Sequence, residues 1–199
     1  MKRIEISILT ATLLSALLSL CVLNTECTEI RSSVLRLHVL ANSDNAPDQE
    51  LKLKVRDRIL ALSEDIYADA GSKEEAVAAT RSHLSLIRKE AVCVVRENGF
   101  DYPVSVSLEN CYFCTRTYGD VTLPAGDYEA LRVVIGEGAG HNWWCVMFPP
   151  LCVSAAEGSA ELSDVLTDEQ LEMVGYEGYE VKFKCVEMYE ELKKYLSGK

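Results

Sequence analysis

Histidine is scarce in this chain. There are three in 199 residues, His38, His83 and His141. No two of them form a His-x-x-x-His pair, and no Ser-His-Asp grouping is visible, so neither a helical metal pair nor a nucleophile with its base has support. Basic residues are also in deficit, 20 against 31 acidic, for a net charge of −11. A surface of that sign is repelled by nucleic acid and by anionic headgroups, which argues against nucleic acid as a partner. No lysine follows the glycine run Gly136-Glu137-Gly138-Ala139-Gly140, and Glu137 sits inside it. That composition suits a hairpin loop better than a phosphate cradle. Asp44, Asp48, Asp120 and Asp127 fall at turn or cap positions, so paired-carboxylate chemistry has no support. No internal repeat is visible. The expectation is a protein that is not an enzyme and needs no cofactor.

One long hydrophobic run is present. Lys2 and Arg3 give a positive start, and Ile6 to Leu23 is free of charge. As a helix that stretch is roughly 27 Å long, enough to cross a bilayer core. An uncleaved membrane anchor over residues 4–23 and a cleaved signal both fit. A lipoprotein reading at Cys21 is disfavoured by bulky Leu20. In each case the remainder lies outside the cytoplasm.

Periodicity divides the rest. Val34 to Leu40 is near-alternating and reads as a strand. Asn42-Ser43-Asp44-Asn45 is turn chemistry, and Pro47 opens a helix whose apolar stripe is Leu51, Val55, Ile59, Leu62 and Ile66. Ser72 and Glu75 form a capping pair for a second helix reaching Asn98-Gly99. After Gly99 the period becomes two. Strands are expected at Val104–Leu108, Tyr112–Tyr118, Tyr128–Ile135 and Trp143–Phe148, the last stopped by Pro149-Pro150. Ala155 to Ser163 is a small acidic linker. Thr167-Asp168-Glu169-Gln170 caps a short helix, and Val181 to Leu196 forms a final one.

Two cysteine pairs invite chemistry. Cys111 and Cys114 have the CxxC spacing, but in a strand their side chains point to opposite faces, against chelation and against a redox pair. A four-thiolate zinc site with Cys145 and Cys152 is disfavoured by the wide second spacing. Cys145 and Cys152 themselves bracket Pro149-Pro150, which lets the chain reverse. In an exported protein this favours a Cys145–Cys152 disulfide over two buried thiols. Beside it, Trp143 and Trp144 are neighbours in a strand, so they face opposite ways: one buried, one outward.

Two stretches carry a family resemblance. The first is Arg36-Leu-His-Val-Leu-Ala-Asn-Ser-Asp44 with Leu51-Lys-Leu-Lys-Val-Arg-Asp57. The second runs through Thr117-Tyr-Gly119, Leu123-Pro-Ala-Gly126 and Tyr128–Gly136 to Asn142-Trp-Trp-Cys-Val-Met-Phe-Pro-Pro-Leu-Cys152. Together they resemble the stage II sporulation protein R family over about Arg36 to Cys152. Cys111 and Cys114 depart from the family's pattern. The resemblance implies a signal made in the forespore and exported into the space between forespore and mother-cell membranes. Its implied partner is a membrane-embedded aspartic protease that removes the pro-sequence of sporulation sigma factor E. The interaction candidates drawn from these stretches are Asn142, Trp143, Trp144, Tyr118, His38, Asn42 and Asp44. Two competing readings are an extracytoplasmic thiol or redox enzyme using Cys111 and Cys114, and a passive envelope-associated module.

The expected organisation is a signal or anchor at 1–25, a polar stem at 26–33, one globular signalling domain at 34–153, and an acidic linker and helical tail at 154–199. The expected class is α+β: a mostly antiparallel sheet of four to five strands, two helices on one face, a hydrophobic N-terminal helix and a helical C-terminal tail.

Overall fold

The computed structural model describes residues 2–151, 165–175 and 179–197. Cys152 and the acidic linker lie outside the described residues.

Helix α1 spans Lys2–Ser33 and is followed at once by strand β1, Leu35–Leu40. Every residue of β1 is buried, as befits a central strand covered on both faces. Helix α2, Ala46–Ile66, starts where expected: the Asn45 side chain accepts from the Asp48 amide and Pro47 sits in the first turn. Its apolar stripe delivers Leu51, Val55 and Ile59 to the core. Helix α3, Lys73–Glu97, is capped by Ser72, which accepts from the Glu75 amide, while the Glu75 carboxylate accepts from the Gly71 amide.

The strands then follow: β2 Val104–Phe113, β3 Arg116–Tyr118, β4 Val121–Leu123, β5 Gly126–Ile135 and β6 Asn142–Phe148. They form a four-stranded sheet ordered β2-β5-β1-β6 and a separate β3-β4 ribbon. Two pairings in the large sheet are antiparallel, β2 with β5 and β1 with β6, but β1 and β5 run parallel. The sheet is therefore mixed. Alternation along a strand sets which side chains share a face and says nothing of the direction of the neighbour, so the parallel pair was not readable. The expected strands at Val104–Leu108 and Tyr112–Tyr118 are also redrawn. β2 continues in register with β5 from Val104 opposite Ile135 to Phe113 opposite Gly126. The rest folds at Gly119, with φ of 58°, into the ribbon.

α2 and α3 cover one sheet face, packing Leu51, Val55, Ile87 and Val94 on Leu37, Val39, Leu131 and Val133. The other face is not bare, a second departure from the expected arrangement. Cys27 and Ile30 from the end of α1, Met173 and Val174 from α4 (Asp168–Gly175) and Phe183 and Val186 from α5 (Tyr179–Ser197) close over Phe113, Tyr128, Ala130 and Val146. Thr167 and Gln170 make the reciprocal capping box of α4: the Gln170 amide donates to the Thr167 hydroxyl, and the Thr167 amide donates to the Gln170 side chain.

Candidate functional site

Register decides which candidates meet. Trp144 lies opposite His38 across the β1–β6 pair, and Trp143 lies opposite Val39. The two tryptophans accordingly face opposite sides, but both are half-buried, so neither is wholly core and neither stands clear in solvent. Trp143 turns toward α2, where the Arg56 guanidinium lies 4.1 Å from its ring centre. Trp144 stacks on His38, with ring centres 3.9 Å apart and planes 10° from parallel.

This stack is the top of an aromatic column. Phe113 meets both rings edge-on, 4.6 Å from Trp144 and 6.1 Å from His38. Behind Phe113 lies Arg36, which has no exposed surface. Its guanidinium carbon is 4.1 Å from the Phe113 ring centre, 4.8 Å from Tyr128 and 5.4 Å from Tyr118. Arg36 Nη2 donates to the Tyr118 hydroxyl and Nε donates to the Cys145 carbonyl at 3.4 Å, while Nη1 has no hydrogen-bond partner among the described residues. Burial holds its pKa below the ordinary value, against the pull of Tyr118 and Tyr128. A buried cation without a carboxylate is costly, and ring faces supply part of the missing solvation. Burial likewise lowers the His38 pKa, against a raising contribution from the Asn142 side chain, and among the described residues neither ring nitrogen has a partner at full hydrogen-bond geometry. Beside the stack, Asn142 is exposed and Arg132 donates to Glu109 at 3.1 Å.

Asn42 and Asp44 lie elsewhere, in the β1–α2 loop, where they hold the glycine run. The Asn42 carboxamide accepts from the Glu137 amide and donates to Asp48. The exposed Asp44 carboxylate accepts from the His141 amide at 2.6 Å and pairs with the His141 ring, which keeps its pKa low. The glycines make room for this contact. A Cβ on Gly136 would meet Asn42 Oδ1 at 2.1 Å, and one on Gly140 would meet the Ser43 carbonyl oxygen at 2.2 Å. Asp48 is buried. Burial opposes its ionisation, but hydrogen bonds from Ser43, Asn42 and Tyr102 outweigh it and hold its pKa low.

Cys145 is fully buried on the α2–α3 side of the sheet, opposite Leu37. The proposed partner Cys152 is outside the described residues. Cys111 and Cys114 are free thiols, the first half-buried in β2 and the second exposed beyond its end. Burial pushes the Cys111 thiol up, the opposite of what a redox nucleophile needs. Among the described residues no group of three or more His, Cys, Asp or Glu is arranged to hold a metal.

The aromatic column and the β1–α2 loop fall inside one matched region. The model for "Stage II sporulation protein R" matches residues 31–158. The chain belongs to the stage II sporulation protein R family. It is also 36% identical over 185 residues to the stage II sporulation protein R of Bacillus subtilis (strain 168), covering 82% of this chain and 83% of that one. No solved structure matches. The family match takes in every interaction candidate, yet Arg36, the most deeply enclosed polar group of the column, was not among them. Its one sequence signal was an arginine inside an otherwise apolar strand.

Proposed function

We propose that this protein is an exported sporulation signal that activates a membrane-embedded aspartic protease processing the sigma-E precursor. Family membership carries this reading. In this proposal the protein works outside the forespore cytoplasm, in the space between forespore and mother cell, and couples gene expression in the two. The first helix supports export: residues Arg3–Ser33 are long and apolar enough to cross a membrane, with a mean hydropathy of 2.3 in the best window. We take residues 4–23 as an anchor.

The contact surface is proposed around Trp144, His38 and Asn142, where a half-exposed indole sits on a rigid stack. Tyr118 and Arg36 support the stack from below through Phe113. Activation requires that this surface bind the active form of the protease better than the inactive one. The test is co-expression of precursor and protease with and without this chain. Precursor cleavage only in its presence is expected, and equal cleavage in both would sink the proposal. With a folded Trp144→Ala protein, precursor processing by the protease is expected to fall at least about tenfold, the size of a lost aromatic hot spot.

The Cys145–Cys152 disulfide is part of the same reading. Cys145 is fully buried and is not one of the free thiols among the described residues. Denatured, unreduced exported protein should protect Cys145 and Cys152 from thiol label until reductant is added; labelling of both beforehand rejects the bond.

A further inference from the structure

Helix α1 changes character along its length without a break. Ile4, Leu9, Leu14, Leu18 and Val22 are each more than half exposed, whereas Cys27 and Ile30 have no exposed surface. Val22 and Cys27 are separated by only about 7–8 Å of helix. The apolar stretch is thus the outward continuation of a core helix, with no tether between them.

α4 and α5 pack along the same helix. Gln170 Nε2 donates to Glu29 Oε2 at 2.9 Å, and Arg31 lies 3.9 Å from Glu190. Where they pass the apolar stretch a groove opens. Ala11, Leu14, Leu18 and Val22 form one wall, Met173 and Cys185 face them, and Glu26 lies at its edge. Most of that wall belongs to residues 4–23. If these cross a bilayer, the groove is continuous with the lipid-facing surface of α1 and runs from the middle of the span at Ala11 and Leu14 out to its edge at Val22. In water it would leave a large apolar patch uncovered.

We infer that α4 and α5 form a second membrane contact, in which bilayer acyl chains fill the groove between α1 and Met173 and Cys185. The domain is then clamped to the membrane that holds α1, and its sheet keeps a fixed tilt to that surface. This rests on the reading of residues 4–23 as an anchor.

The test uses the full chain in phosphatidylcholine vesicles, with Cys21, Cys93, Cys111 and Cys114 replaced by serine. One sample carries a nitroxide on Cys185. The other carries it on Ser82→Cys, an exposed position of α3, in a chain that also bears Cys185→Ser. Flotation reports anchoring, and collision with oxygen or a water-soluble nickel chelate reports the surroundings of the label. The expected result is flotation of both, with the ratio of oxygen to nickel collision severalfold higher at Cys185 than at the Ser82 position. Flotation with equal ratios overturns the clamp and leaves the anchor standing. Failure to float overturns both. Because the vesicles contain no second protein, a protected Cys185 label also assigns the occupant to lipid and not to a partner's membrane helix.

Discussion

Arg36 and His38 occupy alternate positions of the most buried strand, and among the described residues each has a nitrogen with no partner at full hydrogen-bond geometry. For His38 the consequence is a pH dependence. Its pKa is lowered in the folded protein, chiefly by burial, with Arg132 adding to that effect and Asn142 opposing it. The neutral form is therefore the one the fold favours. The stability this represents is fully present above the ordinary value of 6.5 and is lost as pH falls from there through the lowered folded pKa. His38→Phe keeps a ring against Trp144 and removes the titration. Urea unfolding at pH 7.5 and 5.0 should show a larger loss for the parent than for His38→Phe; equal losses would refute the assignment. Phe113 is the residue on which both stacks depend. Phe113→Ala should cost about 3–5 kcal/mol in the same assay, since it empties a packed site and uncovers the Arg36 guanidinium.

At the scale of elements, the junction between the β1–α2 loop and the glycine run is held by a few groups in close contact. Gly136 has φ of 60°, and its Cα faces the Asn42 carboxamide. Gly136→Ala therefore adds both backbone strain and a clash, for a loss of about 2–4 kcal/mol. Asn42→Ala leaves the Glu137 amide and Asp48 short of a partner, at about 1–3 kcal/mol. The double variant removes the clashing carboxamide, so its loss should be smaller than the two single losses together. Strict additivity in denaturant midpoints would contradict the contact. Much at this scale was legible in the sequence. Pro47, Ser72 and Thr167 marked their helix starts because cap chemistry is local. The parallel β1–β5 pair was not legible, nor was the meeting of Asn42 with Gly136, because both are set by topology. The sequence did place Trp143 and Trp144 on opposite faces, because strand alternation is fixed. It could not show that each would be half-covered, since that depends on Arg56 in one case and His38 in the other.

For the molecule as a whole, the question is where the folded unit begins. Composition alone makes residues 26–33 a polar stem, because Glu26, Glu29, Arg31 and two serines dominate it. On the helix those polar groups share the segment with Cys27 and Ile30, which join Phe183 and Val186 of α5 in one buried apolar cluster. Arg31 also reaches across to donate to the Ala125 carbonyl at 2.7 Å, in the space left by Gly126, where a Cβ would lie 2.5 Å from its guanidinium. A chain starting at residue 26 retains all of these contacts; one starting at 34 loses them. The first should unfold in urea close to the full-length protein in detergent. The second should be less stable by at least about 3 kcal/mol, from the Ile30 side chain and the Arg31 hydrogen bonds together. It should also expose α5 to limited proteolysis, because Phe183 and Val186 lose the surface they pack on. If both truncated chains melt together and resist protease equally, the end of α1 is a stem after all, and the second core closes without it.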